Sequence, residues 1–310
     1  MRVLATGLQF PEGPVAMPDG SVILVEIARG TLSRVTPAGT VEIVATLGGG
    51  PNSAAFGPGG KIYVPNNGGF RFHRENGTFR PVLQADDYSG GRIEVVDPAT
   101  GKFERLYDRV DGKTLSGPND LVFDDAGGFW FSDLGKVRGR DRDHGGVYWA
   151  RADGSEIREV IHPVLSANGI GLSPDGRTLY VAETETARLW AWDVVAPGEV
   201  KKLPWPSPHG GRLVGSAAVY QRFDSLKVAQ SGRICVATLV NGGITEIAPE
   251  GGIVKHHPLP DPMVTNLCFG GADRRTAFVT LSHQGRLVAI DWHEPGLALH
   301  HSPEAAIRTD

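Results

Sequence analysis

Cysteine is close to absent: the 310 residues include two, Cys235 and Cys268, each inside an apolar strand-like run. Free cysteine in such a setting behaves as a small buried hydrophobe, so neither is read as a metal ligand or a nucleophile. The chain also lacks an excess of positive charge, with 31 Lys and Arg against 35 Asp and Glu and a formal net charge of −4. A nucleic-acid partner would favour a basic surface, and none is expected. No apolar run is long enough to span a bilayer, so no membrane partner is expected either. Met1 leads almost directly into patterned sequence, without the basic start and apolar stretch of a signal peptide. The expected location is the cytoplasm. A Gly-x-Ser-x-Gly elbow is missing as well, which removes the usual sequence sign of a serine hydrolase.

Glycine, by contrast, is plentiful: 42 Gly and 22 Pro suit a fold with many tight turns. Those turns repeat. In residues 115–133, Asn119 opens a strand, 125–128 make a tight turn, and 129–131 return as an apolar strand that runs into Ser132 and Asp133. Variants of this phrase occur six times, opening at Glu12, Asn52, Asn119, Asn168, Asp224 and Asn266. In the first five a glycine stands eight residues after the opening residue: Gly20, Gly60, Gly127, Gly176 and Gly232. Each unit continues through short runs of Val, Ile, Leu and aromatics bounded by Gly, Asp and Pro, which is the strand pattern. Units of this kind predict an all-β, six-bladed β-propeller, a single domain over residues 1–310. The sixth unit shows no fourth strand after Ile290, while residues 3–5 form a strand with no unit of its own. The N-terminal strand is therefore expected to complete the last blade and close the ring.

Propeller topology turns the repeat into geometry. The first strand of each blade lines the central channel, so the six opening residues share one end of it, the mouth. The long irregular stretches 65–90, 134–145 and 204–223 fall on the same side, and long loops in a compact fold are often functional. Taken alone, any of the opening residues reads as a turn residue bonding its own backbone. Together they crowd two carboxylates and four carboxamides into a narrow opening, where burial disfavours unpaired charge. A bound cation resolves the conflict. Oxygen-only donors point to one hard divalent ion, Ca²⁺ first, with Mg²⁺ and Mn²⁺ as alternatives and Zn²⁺ a less typical one. A structural ion or an ordered water column is the competing reading.

Four phrases, Phe10-Pro-Glu-Gly-Pro14, Gly117-Pro-Asn-Asp-Leu121, Asn168-Gly-Ile-Gly-Leu-Ser-Pro-Asp-Gly176 and Phe223-Asp-Ser-Leu-Lys227, resemble the regucalcin and gluconolactonase family over essentially the whole chain. That resemblance implies Glu12, Asn168 and Asp224 as the protein ligands of one divalent ion, with Asn119 a fourth ligand or a substrate contact. Asp133, in Phe131-Ser-Asp133, looks like the Thr-Asp phrase of the lactonase branch, where the aspartate lies near the metal; the alternative is a strand-end residue capping a turn. Sugar-lactone members often carry an arginine two residues before the position of Asn119, where this chain has Gly117.

The expected activity is metal-dependent hydrolysis of a small-molecule lactone, a sugar lactone among the candidates. Asp224 would act as general base, and Asn119 and Asn52 would donate to the developing oxyanion. His283, after the second strand of unit six, is placed to contact substrate or move a proton. A phosphotriester or other ester hydrolase on the same site, and a non-catalytic metal-binding propeller, are the alternatives. Arg71, Arg138 and Arg140 in the mouth loops are candidates for substrate contact, and His144 is a rim candidate. The paired His256-His257 and His300-His301 are expected to be solvated on outer segments. Nothing in the sequence specifies an oligomeric state.

Overall fold

The structure, a computed structural model, describes residues 1–303. Among the described residues, six antiparallel sheets of four or five strands, one per repeat unit, are arranged as the blades of a propeller, and two further two-stranded hairpins stand outside them. In blade three, Pro118–Phe123 is innermost and is followed outward by Gly128–Asp133, Gly145–Arg151 and Ile157–Val164. In blade four, Ala167–Leu172, Thr178–Glu183 and Arg188–Ala196 are followed by an outer edge shared between Glu199–Lys201 and Arg212–Ser216. The outer strand of blade six is Arg2–Ala5, paired antiparallel with Arg286–Asp291, Arg2 facing Ala289. No helix among the described residues is long and apolar enough to cross a membrane.

Alternation along the strands explains the packing. Each sheet buries residues on both faces, so side chains of successive blades interdigitate, and the described residues contain a separate apolar cluster between each neighbouring pair. Between blades three and four the cluster holds Trp130, Trp149, Trp190 and Trp192. The Trp149 indole N–H donates to Asp124 Oδ2 at 2.7 Å, so a polar atom carried into that cluster is satisfied. Truncating one such tryptophan to alanine typically costs about 3–5 kcal/mol. Both cysteines are buried, and burial raises the Cys235 thiol well above its ordinary range.

One expectation about the loops needs correcting. Residues 65–90 are not irregular: Phe70–Glu75 and Thr78–Gln84 form a hairpin. Asn76 and Gly77 at its tip have φ of 48° and 77°, the left-handed pair that an Asn-Gly dipeptide supplies in a tight hairpin turn. The hairpin is tied across the mouth. Phe79 N–H donates to His283 O at 3.0 Å on blade six, and Gln84 N–H donates to Val137 O at 2.8 Å in the loop between the second and third strands of blade three. Phe72 packs on Phe10, Phe70 and Phe79.

Candidate active site

Every innermost strand except that of blade two bends at or beside its opening residue. In blades three, four and five the register with the second strand breaks between Pro118 and Leu121, Ala167 and Ile170, and Phe223 and Leu226. Two residues there face one on the partner strand, a β-bulge, which re-aims a side chain. The residues set free are Asn119, Asn168 and Asp224. Gly169 is needed beside Asn168, because a Cβ there would lie 2.5 Å from Leu226 N and 2.6 Å from Asp224 O. The inner strands of blades four and five approach that closely.

The bulged residues line a cavity of about 440 Å³ at the mouth, with Glu12, Asn52, Asn119, Asn168 and Asp224 at its floor and Phe70 of the hairpin and His283 on its walls. All five floor residues are buried. Hydrogen bonding divides them into two kinds. Asn168 donates its Nδ2 to Thr184 Oγ1 at 3.0 Å, while its Oδ1 and the Oδ1 of Asn119 are buried without a partner among the described residues. An unmet buried acceptor costs about 1–3 kcal/mol. Beside them sit two carboxylates. Burial raises Glu12 well above the usual range, and the charge of Asp224 pushes it further. Burial also pushes Asp224 up to about 7, partly offset by the Asn168 amide and the Ser225 N–H. Four buried oxygen acceptors with too few donors fit a hard divalent cation.

Asn52 is the other kind. The Oδ1 of Asn67 accepts from Gly69 N–H at 2.9 Å and from Lys136 Nζ at 2.9 Å. Both partners are donors, so the Asn67 amide cannot be turned round. Its Nδ2 then donates to Asn52 Oδ1 at 2.7 Å, and the Nδ2 of Asn52 is left to serve the cavity. Lys136 is itself buried, held between Gly69 O at 3.0 Å and the Phe70 ring at 4.0 Å, and burial lowers its ammonium to about 7.

Other residues fall elsewhere than the sequence pattern indicated. Asn266, the sixth opening residue, does not line the cavity: its Nδ2 donates to Glu12 Oε2 at 2.7 Å and its Oδ1 accepts from Leu267 N–H at 2.8 Å. Asp133 is absent from the cavity wall too. Its carboxylate accepts the N–H groups of Ser116, Gly117 and Gly135 at 2.7–2.9 Å, the work of a strand-end cap. Gly117 has no room for a side chain, since a Cβ would lie 2.7 Å from Gly135 O. The arginines on the cavity wall are Arg80, Arg142 and Arg222, with Glu185 pairing the last two. Arg138 instead pairs with Asp141 and Asp143, and His144 is exposed off the wall. His283 Nδ1 lies 3.0 Å from Phe79 O, which can only accept, so Nδ1 carries the proton and Nε2 is the free face.

One residue that repeat reading did not single out sits next to the ring. Asp120, buried, accepts from Ser53 Oγ at 2.8 Å and pairs with Lys227 Nζ at 3.3 Å. Its charge adds to the upward pressure on both Glu12 and Asp224. The signal was in Asn119-Asp120, two polar residues in a row where a buried strand needs an explanation.

The family model for the SMP-30/gluconolactonase/LRE-like region matches residues 10–283. The chain belongs to that family. Among curated relatives it is 25% identical to the gluconolactonase of Zymomonas mobilis, over 91% of this chain and 79% of that protein. It is 34% identical to the lactonase drp35 of Staphylococcus haemolyticus over 61% of this chain, and spans about half of that relative, 52%. Among solved structures, a calcium-binding regucalcin from Agrobacterium tumefaciens superposes with a TM-score of 0.72 at 19% identity, covering 96% of this chain and 97% of that one. At that identity the likeness establishes the shared propeller fold.

Proposed function

We propose that the chain hydrolyses a lactone at the propeller mouth, using one divalent ion, Ca²⁺ before Mg²⁺, Mn²⁺ or Zn²⁺, held by Glu12, Asn119, Asn168 and Asp224. The observation that carries this reading is the set of four buried oxygen acceptors, two of them carboxamide oxygens with no partner among the described residues, on the floor of a cavity whose walls are largely apolar. Lactonases among the family relatives support the substrate class. When bound, such an ion polarises a carbonyl oxygen and lowers the pKa of water.

The chain's own residues then have distinct tasks. Asp224 takes a proton from the attacking water as the new C–O bond forms. The Asn52 amide, its oxygen engaged by Asn67, offers Nδ2 to the carbonyl oxygen as negative charge develops there, a contribution that grows toward the transition state. As the ring C–O bond breaks, the proton held by Asp224 passes to the leaving alkoxide, giving a hydroxy acid. Phe70, Leu134, Val137 and Met263 exclude bulk water. Arg80, Arg142 and Arg222 against one Glu185 leave the wall with an excess of positive charge, which suits a polyhydroxylated or anionic lactone.

The test is a lactone panel followed by acid release, in chelated protein and after adding back each of the four ions. Activity that appears with metal and vanishes in Asp224→Asn supports the reading. Hydrolysis that survives both chelation and Asp224→Asn would sink it.

A further inference from the structure

Outside the mouth cavity, on the outer strands of blade five and the segment leaving blade six, Glu246, His257 and His293 come together. Glu246 belongs to the third strand of blade five, Gly243–Ile247, and His257 to the fourth, Ile253–Pro258. His293 follows the third strand of blade six. The strand pairing places Ile244 opposite His257 and Glu246 opposite Lys255, so Glu246 and His257 project on one face of the sheet. One ligand atom from each of the three lies within 4.8 Å of the other two.

We propose that this cluster is a second metal site, for a borderline-soft ion of the Zn²⁺ class, chemically distinct from the oxygen-lined site at the mouth. Two imidazoles and a carboxylate are the donor set such ions select, whereas Ca²⁺ and Mg²⁺ take oxygen. Spacing agrees. With bonds of roughly 2.0–2.2 Å, tetrahedral ligand atoms stand about 3.4 Å apart, and Glu246 Oε2 lies 3.4 Å from His293 Nε2. His257 Nε2 is already in contact with Glu246 Oε1. The two imidazole planes are nearly parallel, 12° apart with centroids 5.9 Å from each other, and Trp292 packs on both rings. Glu294 Oε1, 3.6 Å from His293 Nε2, offers a further oxygen.

Burial supports a ligand role over chance surface proximity. The Glu246 side chain is 1% exposed, His257 21% and His293 46%, so the site has a dry inner wall and an open outer side for ion entry. Arg233, 3.1 Å from Glu246 Oε2, is the opposing feature; its side chain is 41% exposed and can turn to solvent. The competing arrangement is a plain ion-pair cluster, in which protonated histidines and Arg233 neutralise Glu246. The two differ in what they take up, because a metal binds neutral imidazole and displaces protons. Coordination would also tie blade five to the segment leaving blade six, so occupancy stabilises the fold by mass action.

The experiment is a Zn²⁺ titration of the full chain in millimolar Ca²⁺, which keeps the mouth supplied with its own ion, read by calorimetry and by melting temperature. A parallel Co²⁺ titration reads visible d–d absorption. Uptake of one Zn²⁺ per chain, a higher melting temperature, and at least a tenfold loss of affinity in both His257→Ala and His293→Ala support the site. Ca²⁺-dependent activity stays unchanged in both variants. His293 is half exposed, so His293→Ala is the variant that must keep the metal-free melting temperature. No uptake beyond the mouth site, or the same uptake in both variants, overturns it.

Discussion

The two ends of the central channel are built from the same inner strands and are chemically opposite. Three residues beyond Glu12 and Asn119 those strands carry Val15 and Val122, and the far end encloses an apolar cavity of about 260 Å³ lined by these with Phe56, Leu121 and Phe123. The segment after blade six covers it, with Leu297 N–H on Val228 O at 3.0 Å. That end stabilises the ring through apolar burial, on the order of 25 cal/mol per Å². The mouth, by contrast, buries two carboxylates and two unmet amide oxygens, each of which costs stability. Strands that could have been apolar throughout are polar at one end, and that asymmetry is what supports placing the proposed site there.

The largest effect expected is on turnover. Asp224→Asn removes the proposed base while retaining an amide oxygen, and kcat should fall by about 10²–10⁴-fold. The same substitution should make the metal-free protein more stable at pH 7, since a buried charge beside Glu12 is gone. A variant that loses activity and stability together would contradict the assignment of cost to the mouth.

The next effect is the pH dependence of the metal-free fold. Asp224 has a folded value of about 7 against an ordinary 3.8, so between those limits the native state holds a proton that the unfolded chain has released. Its contribution to stability is complete below about 3.8 and is lost as pH rises through about 7. The raised Glu12 adds in the same direction. Chelated protein should therefore lose on the order of 2–4 kcal/mol between pH 4 and pH 7.5, seen as a lower urea midpoint, and Ca²⁺ should abolish most of that slope. A flat chelated profile would show that burial does not disfavour the charged forms of these two carboxylates. Lys136, lowered to about 7 from 10.5, acts in the other sense and above that window: stability should recover between about pH 7 and 10.5.

At the apolar end the currency reverses. Phe123→Ala empties a ring packed against Tyr63 and Phe129 and should lower stability by about 3–5 kcal/mol with kcat unaltered at a temperature where the variant is folded. A fall in kcat there would mean the channel transmits strain from one end to the other.

How much of this was legible beforehand follows from which interactions are local. The blade count and the mouth were readable because Gly20, Gly60, Gly127, Gly176 and Gly232 mark turns at one offset, and turn chemistry is written in short phrases. That Glu12, Asn52, Asn119, Asn168 and Asp224 share one cavity was readable for the same reason; the different fates of Asn52 and Asn266 depend on Asn67 and Glu12 and so on side-chain contacts between neighbouring elements. Asn76-Gly77 did announce the hairpin over the mouth, yet a long stretch between strands was read as irregular. His257 looked solvated beside His256 in the chain; the strand pairing that sets it against Glu246, and the return of His293 from another blade, are tertiary. Gly117 was legible as a departure from the sugar-lactone pattern, but the crowding by Gly135 that bars a side chain there was not.

The smallest effect expected tests the second layer beneath the mouth. Lys136→Met keeps the length and apolar stem that pack under Phe70 and deletes the Nζ that bonds Asn67 Oδ1 and Gly69 O. Gly69 N–H still holds Asn67 Oδ1, so the amide is loosened rather than released, and Asn52 Nδ2 should lose alignment without leaving the cavity. Kcat should fall roughly three- to tenfold with KM little changed, because the interaction weakened is one that strengthens in the transition state. Stability should hold or rise, since a buried ammonium is replaced by an apolar chain of similar size. A structural role alone would give the opposite pair, an unchanged kcat with a lower melting temperature. Asn67→Ala supplies the sharper arm: with the oxygen of Asn52 no longer engaged, kcat should fall further than in Lys136→Met, and combining the two should add little, because both act through the one amide.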